Sequence, residues 1–229
     1  MAKQLGIVFT GGEGPPPQTI RRLLDDREAA HSSNMGAARF SNAVLVAADS
    51  GLSLAEAAGL KPDWVIGDMD SLDSEDRLRS YPADRVIRHS AGKDYTDTEL
   101  ALALLLEQGC AETWIMGGGG GRIDHLFGIR DLFEREHFPR RWITAAEDIY
   151  CIAGGCLTVN IEEDGLVSVF PLGGGPWKAE STGLRWPLIN VHWERGLYGL
   201  SNVAEESKIT INAQQGRFMV ITEGIWRRA

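Results

Sequence analysis

The sequence has few cysteines, no long apolar segment and no excess of positive charge. Its three cysteines form no CxxC pair, which favours the reduced thiols of a cytoplasmic protein over a disulfide framework. No stretch approaches the roughly 20 apolar residues of a membrane span, and the apolar run near the start is too short for a secretory signal. The net charge of -9 argues against a broad nucleic-acid-binding surface. We therefore expect a cytoplasmic protein whose partners are neither nucleic acids nor membranes.

Several catalytic signatures are also missing. The glycine run at 117–121 is not followed by the Lys-Ser/Thr of a phosphate-binding P-loop, and the GxGxxG spacing of a dinucleotide site fails at Arg122 and Ile123. The five histidines show no zinc-ligand spacing. No GxSxG motif marks a covalent serine nucleophile. The candidate chemistry therefore rests on acidic side chains and on the glycine run.

Apolar runs alternate with helical stretches over roughly the first 140 residues. Strands are predicted at 5–10, 43–49, 63–68, 85–90 and 113–117, and helices at 18–30, 53–59, 73–81, 96–109 and 124–136. This alternation is typical of an α/β protein with a mostly parallel sheet and flanking helices.

The pattern changes near residue 147, where turn-rich segments replace the helices. Short strands are predicted at CLTVNIE, LVSVFPLG, LINVHW, KITINAQ and RFMVITEG. Short strands at this spacing are typical of a small antiparallel sandwich or barrel. We therefore predict an α/β domain over residues 1–146 and a C-terminal all-β sandwich domain over residues 147–229.

Acidic residues follow the predicted strands at the points where the strands end. Asp49 ends the second strand, Asp68 and Asp70 end the third, and KDYTD (93–97) follows the fourth. Ligands of an open parallel sheet bind beyond the carboxyl ends of its strands. Asp68 and Asp70 repel each other unless a cation lies between them, and magnesium with phosphate oxygens is the usual occupant. The pattern predicts a magnesium-dependent enzyme that handles a nucleoside triphosphate.

Part of this pattern also has a structural explanation. Thr96 and Glu99 fit the S/T-x-x-E capping box, and Asp97 in the first helical turn would favourably meet the helix dipole. Asp94 and Lys93 lie outside the box, where the acid can join a metal site and the lysine can meet a phosphate. Asp94 or Asp97 is our candidate for accepting a hydroxyl proton.

Asp73 is better explained as a helix cap than as a ligand. The glycine run would let backbone N–H groups approach an anion, and Arg122 adds a forked donor. Asp124 has a helix-capping alternative, and His125 has the alternative of a hydrogen-bonded structural histidine.

Taken together, these motifs resemble the thiamin pyrophosphokinase family. The segments that carry the resemblance are AADSG (47–51), PDWVIGDMDS (62–71), KDYTDTELAL (93–102), GGGGGRIDH (117–125), STGLRWPL (181–188) and Ser201-Asn202. The resemblance implies a homodimer in which the thiamin hydroxyl attacks the β-phosphorus of ATP, giving thiamin diphosphate and AMP.

The resemblance also implies a role for each matched residue. Magnesium would be held by Asp68, Asp70 and Asp97, with Asp49 and Asp94 supporting that site. The residues that would contact the nucleotide or the thiamin are Asp49, Ser71, Lys93, Thr96, Arg122, Asp124, His125, Ser201 and Asn202. Ser201 and Asn202 would approach the thiamin from across the dimer.

Three alternatives remain open at the level of the sequence. A pyrophosphokinase for another hydroxymethyl heterocycle, such as hydroxymethyl-dihydropterin, shares the acidic motifs. A non-catalytic nucleotide- or thiamin-binding regulator would bind without releasing AMP. A metal-dependent phosphatase would release phosphate from ATP without an acceptor.

Overall fold

The computed structural model describes residues 4–24, 43–71, 74–90, 92 and 94–228. The second half of the helix predicted at 18–30, together with Asp73 and Lys93, lies outside these residues. No helix in the described ranges is long and apolar enough to cross a membrane.

The first half of the chain forms a parallel sheet. Its strands are β1 (Leu5–Phe9), β2 (Val44–Ala48), β3 (Trp64–Gly67), β4 (Val86–Arg88), β5 (Glu112–Met116) and β6 (Arg141–Ile143), in the spatial order β6-β5-β1-β2-β3-β4. All residues of β1 are buried, as expected for a central strand covered on both faces.

Within the described residues, four α-helices accompany this sheet. They are α1 (Pro17–Leu24), α2 (Gly51–Ala57), α3 (Asp97–Glu107) and α4 (Ile123–Leu132). Helix α3 packs its buried Ala101, Leu104 and Leu105 against Val8 and Val46 of the sheet. That contact sets the start of α3 above the carboxyl ends of β1 and β2.

The helix predicted at 73–81 is wrong in type, because the chain forms a short 3-10 helix at Glu75–Ser80. Ser74 caps it by accepting a hydrogen bond from the Asp76 N–H at 3.2 Å. Tyr81 is extended and precedes Pro82, and a residue before proline disfavours the helical conformation. The segment is therefore too short for a stable α-helix.

The second half is antiparallel and continues the same hydrogen-bonded sheet. Its strands are β7 (Glu147–Asn160), β8 (Leu166–Leu172), β9 (Lys178–Thr182), β10 (Gly199–Val203) and β11 (Lys208–Glu223). Strand β6 pairs in parallel with β5 on one edge and antiparallel with β7 on the other. Strand β11 pairs with β7, β8 and β9, and β10 forms the far edge.

Two predicted strands, KITINAQ and RFMVITEG, are one long strand, β11, interrupted by a register shift between Ala213 and Arg217. Gly216 sits in the shift with a φ of 83°, and an added Cβ there would lie 2.5 Å from the Trp177 ring. Residues from both halves of β11, among them Ile209 and Val220, share one buried core. Parallel strands followed by antiparallel strands confirm the predicted fold class.

The strand predicted at LINVHW is wrong. Residues Leu188–Asn190 form a 3-10 turn after Pro187, and the fully buried Leu188 fills the core of the antiparallel part. Val191 and Trp193 also pack against this core, so the apolar residues of the segment anchor it without forming a strand. Strands β9 and β10 were not predicted, because their polar sequences KAEST and GLSNV carry little apolar alternation.

Candidate active site

Three aspartates converge at the carboxyl edge of the parallel sheet. Asp49 follows β2, Asp68 follows β3, and Asp97 begins α3. Each offers a carboxylate oxygen, and these oxygens all lie within 4.8 Å of one another. The convergence follows from the fold, since β2 and β3 are neighbours and α3 packs across β1 and β2.

The backbone around Asp49 brings its carboxylate close to the next strand. Asp49 has a φ of 52°, and its N–H donates to the Ile66 carbonyl at 2.9 Å. Its Oδ2 accepts a hydrogen bond from the Ser71 hydroxyl. A Cβ added at Gly67 would lie 3.1 Å from Asp49 Oδ1 and 3.2 Å from Asp97 Oδ1. Glycine at position 67 therefore permits the close approach of two carboxylates.

The electrostatics of the cluster favour a bound cation. Burial raises the pKa of Asp49, the charges of Asp97 and Asp68 raise it further, and the hydrogen bond from Ser71 opposes the shift. Asp49 Oδ1 is buried and accepts no hydrogen bond from any residue that the structure describes. An all-oxygen donor set with excess negative charge suits a hard divalent cation. The residues present thus fit Mg²⁺.

Asp70 and Asp94 lie outside this three-residue cluster. Asp70 is exposed, and its N–H donates to Asp68 Oδ1 at 3.2 Å. A hydrogen bond with the Asp68 carboxyl, together with the charge on it, raises the pKa of Asp70. Asp94 is exposed on the loop before α3. The observed cluster therefore contains Asp49 where the sequence predicted Asp70 as a ligand, and Asp70 lies beside it.

The start of α3 has the predicted capping box. The Thr96 hydroxyl oxygen accepts from the Glu99 N–H at 3.3 Å, and Glu99 Oε2 accepts from the Thr96 N–H at 2.7 Å. The Thr96 side chain thus serves the helix end. Two further contacts hold this turn: the Thr10 and Thr98 hydroxyls share a buried hydrogen bond at 2.7 Å, and Arg135 pairs with Glu99. Neither partner was predicted, since they lie 88 and 36 residues away in sequence.

The glycine run after β5 packs against the loop that follows β1. The N–H groups of Gly117, Gly118 and Gly119 donate to the carbonyls of Ile143, Gly11 and Glu13 at 2.9, 2.8 and 2.9 Å. A Cβ added at Gly120 would lie 2.6 Å from Glu13 Oε1, whereas one at Gly121 would meet no described residue within 4 Å. The interpretation of the run as an anion site therefore fails for residues 117–119, whose donors bind protein carbonyls.

Arg122, Asp124 and His125 lie together at the exposed start of α4. Arg122 donates to both Asp124 oxygens, from Nε at 3.1 Å and from Nη2 at 2.5 Å. The His125 N–H donates to Asp124 Oδ1 at 3.0 Å. The hydrogen bond from Arg122 holds the pKa of Asp124 below its usual range. The capping alternative for Asp124 is wrong, because Arg122 occupies the N-cap position and Asp124 lies inside the first turn.

Ser201 and Asn202 lie on the edge strand β10 beside the STGLRWPL segment. The buried Asn202 donates from Nδ2 to the Trp186 carbonyl at 2.6 Å, and its Oδ1 accepts from the N–H groups of Trp186 and Val203 at 3.1 and 2.9 Å. Ser201 is exposed with a φ of 54°. The amide of Asn202 thus fixes the backbone of Trp186, whose side chain is 55% exposed.

Carboxylates gathered at the carboxyl edge of a parallel sheet define an α/β enzyme of the class that binds its ligands beyond that edge. The family model described as the thiamin pyrophosphokinase catalytic domain matches residues 38–141, and the model described as the thiamin pyrophosphokinase vitamin B1 binding domain matches residues 157–218. The chain belongs to the thiamin pyrophosphokinase family, whose enzymes are thiamin diphosphokinases.

Individual relatives cover most of the chain. The thiamine pyrophosphokinase of Bacillus subtilis (strain 168) is 29% identical over 170 residues, covering 72% of this chain and 79% of that protein. A thiamine pyrophosphokinase crystal structure from Bacillus subtilis aligns with a TM-score of 0.72 at 25% identity, covering 97% of this chain and 100% of the other. The thiamin pyrophosphokinase structure from Geobacillus thermodenitrificans aligns with a TM-score of 0.65 at 28% identity, covering 96% and 98%.

Proposed function

We propose that this chain transfers the pyrophosphoryl group of ATP to the hydroxyl of thiamin, giving thiamin diphosphate and AMP. The observation that carries the proposal is the cluster of Asp49, Asp68 and Asp97 at the sheet edge where the family's catalytic domain matches. Pyrophosphoryl transfer needs positioning and charge neutralisation far more than covalent chemistry from the protein. A cluster of carboxylates that can hold a divalent cation suits that demand.

The cluster is proposed to hold Mg²⁺ through Asp68, Asp97 and Asp49, with Asp70 next to them. A bound magnesium ion supplies charge neutralisation on the polyphosphate oxygens. Ser71 orients the Asp49 carboxylate through its hydroxyl. Asp94, exposed and outside the cluster, is our candidate for accepting the proton of the thiamin hydroxyl.

The remaining contacts to nucleotide and thiamin are divided between the two parts of the chain. Residues 1–146 are proposed as the catalytic domain, in which Lys93, Arg122, Asp124 and His125 face the nucleotide. Residues 147–229 are proposed as the thiamin-binding and dimerisation domain, in which Ser201 contacts thiamin and Asn202 holds the adjoining segment. The match of the vitamin B1 binding model to residues 157–218 supports this division.

We infer a homodimer formed through the antiparallel part. Among the described residues, its exposed large apolar side chains are Leu166, Trp186, Ile189, Leu197, Tyr198, Leu200 and Ile225. Exposed apolar groups of this kind favour burial against a partner. Sedimentation should show a dimer in the wild type and a monomer in Leu200→Glu. A monomeric wild-type chain would contradict the inferred homodimer.

The cytoplasmic location stays a prediction, supported by three free cysteines.

The reaction is tested by AMP formation from ATP and Mg²⁺ with thiamin, with hydroxymethyl-dihydropterin, or with no acceptor. We expect AMP only with thiamin. Asp68→Asn and Asp97→Asn should each lower the rate by about a hundredfold or more, since metal-held charge stabilisation is worth several kcal/mol. Asp84→Asn, which removes an exposed carboxylate from the turn before β4, is the matched control and should leave the rate unchanged.

Each rival function has its own outcome in the same assay. AMP formed only with the pterin acceptor would indicate a pyrophosphokinase for another heterocycle. Phosphate released without any acceptor would indicate a phosphatase. Ligand binding without AMP under every condition would indicate a regulator.

A further inference from the structure

We propose that Arg135 is a positioning residue for the carboxylate cluster, because its ion pair with Glu99 fixes the first turn of α3 and thereby the direction of Asp97. The inference rests on the metal-binding role of Asp97 proposed above. Arg135 lies in the connection between α4 and β6 and does not belong to any of the sequence motifs.

The two carboxylate oxygens of Glu99 accept hydrogen bonds from different donors. Oε2 accepts from the Thr96 N–H at 2.7 Å and so completes the capping box. Oε1 accepts from Arg135 Nη2. The Glu99 side chain is only 16% exposed, so its carboxylate is partly shielded from water. A carboxylate held at both oxygens keeps one orientation, and the Thr96–Glu99 turn that contains Asp97 is held with it.

Arg135 is itself anchored to the antiparallel part of the sheet. Arg217 on β11 donates from Nη1 to the carbonyls of Phe133 and Arg135, both at 2.8 Å. The Arg217 guanidinium also lies 3.7 Å from the centre of the Phe138 ring. The connection that carries Arg135 is thus fixed by β11, and a chain of contacts runs from that strand through Arg135 and Glu99 to the turn of Asp97.

The opposite side of the same turn is fixed by a buried contact. The Thr98 hydroxyl bonds the Thr10 hydroxyl at the end of β1 at 2.7 Å. Thr98 therefore bonds the start of α3 to the parallel sheet, while Glu99 bonds the same turn to Arg135. Functional side chains need to be held within about 0.5 Å by their supporting contacts. The contacts of Thr98 and Glu99, the two residues that follow Asp97, meet that need.

The pair should influence metal binding more than stability. Arg135 is half exposed, and ion pairs at the surface contribute little to folding stability. If Arg135 only stabilised the fold, its removal would lower the unfolding temperature slightly and leave the dissociation constant for the metal ion unchanged. If Arg135 positions Asp97, its removal raises that dissociation constant while the KM for thiamin stays the same.

The test measures Mn²⁺ binding to the full chain by calorimetry, together with the KM for thiamin. Arg135→Met and Glu99→Gln should each weaken Mn²⁺ binding by about three- to tenfold. The double variant should lose no more Mn²⁺ affinity than the single variant with the larger loss. Glutamine still completes a capping box, so Glu99→Gln removes only the ion pair. Arg135→Lys should restore part of the affinity.

The matched control is Arg130→Met, which removes the same charge from the end of α4, where Arg130 pairs with Asp131 and Glu134. It should bind Mn²⁺ like the wild type. Wild-type affinity in Arg135→Met, or equal losses in Arg135→Met and Arg130→Met, overturns the positioning role alone. Absence of Mn²⁺ binding in the wild type, or undiminished binding in Asp68→Asn, overturns the metal site and the positioning role together.

Discussion

Gly67 lies between two of the carboxylates that the proposed function requires. A Cβ at this position would lie 3.1 Å from Asp49 Oδ1 and 3.2 Å from Asp97 Oδ1, and the φ of 151° disfavours any other residue. We expect Gly67→Ala to lower the rate of AMP formation by about tenfold or more, because small displacements of catalytic groups are costly. The rate is measured at saturating ATP and thiamin.

The control for this change is Gly128→Ala in α4. No atom of the residues that the structure describes lies within 4 Å of a Cβ added there, and alanine favours a helix interior by about 1 kcal/mol over glycine. It should keep full activity and equal or greater stability. Full activity in Gly67→Ala would show that the two carboxylates tolerate separation.

Cys151 gives the stability of the protein a pH dependence on the alkaline side. Burial raises the pKa of the Cys151 thiol from 9.0 to about 12, so the unfolded chain loses this proton at a lower pH than the native one. The native state then binds more protons than the unfolded state above pH 9. The free energy of unfolding should therefore fall as the pH rises from 8 to 10, by at most about 1.4 kcal/mol per unit for this group.

Denaturant unfolding of wild type and Cys151→Ala at both pH values measures this effect. The variant loses packing at each pH, but its unfolding free energy should fall less steeply with pH. Cys110, whose pKa burial also raises, is unchanged in the variant and cancels from the difference. Equal slopes for the two proteins would contradict the assignment to Cys151.

At the residue scale, the sequence indicates acids at strand ends but not their contacts. Asp68 and Asp97 were predictable, since both follow strands of a parallel sheet. The membership of Asp49 in the cluster depends on its φ of 52°, which the Asp-Ser-Gly sequence only suggests. The role of Asn202 in holding Trp186 depends on a contact 16 residues away, which no local pattern reveals.

At the scale of elements, the hydroxyl pair of Thr10 and Thr98 joins α3 to β1. Thr98→Val leaves the buried Thr10 hydroxyl without this partner and should cost about 1–3 kcal/mol of unfolding free energy. The double variant Thr10→Val/Thr98→Val removes both polar groups and should cost less than the sum of the two single changes. Urea unfolding measures all three proteins. Additive losses would show that the hydrogen bond contributes nothing.

Elements with strong local signals were predictable, and elements set by distant contacts were not. Helix α3 begins at its capping box and is followed by Gly109 with a φ of 81°. Strand β6 has only three residues and pairs on both edges, so no local pattern reveals it. The apolar LINVHW segment was predicted as a strand, because sequence patterns cannot distinguish a core anchor from a short strand.

For the whole molecule, a buried ion pair lies where the parallel and antiparallel parts of the sheet meet. Arg141 on β6 donates to both oxygens of Asp148 on β7, at 2.8 and 2.6 Å, and the Tyr150 hydroxyl donates to Asp148 at 2.6 Å. The Arg141 guanidinium also lies 4.7 Å from the Trp114 ring centre. Removal of one partner leaves a buried charge uncompensated.

Asp148→Asn should therefore lower the free energy of unfolding by about 3–5 kcal/mol. Circular dichroism and tryptophan fluorescence should show one coincident transition, because a single sheet carries both parts. Asp164→Asn, which loses an exposed contact with Arg185 at 3.4 Å, is the control and should cost less than about 1 kcal/mol. Two separate transitions would instead show that the two parts unfold independently.

One metal ion is proposed to join the loop after β3 to the start of α3. A crystal structure of the chain with Mg²⁺, a non-hydrolysable ATP analogue and thiamin tests it most directly. We predict one magnesium ion in contact with the carboxylates of both Asp68 and Asp97 and with phosphate oxygens. A metal ion held by the phosphates and water alone, with neither aspartate in contact, would contradict the claim.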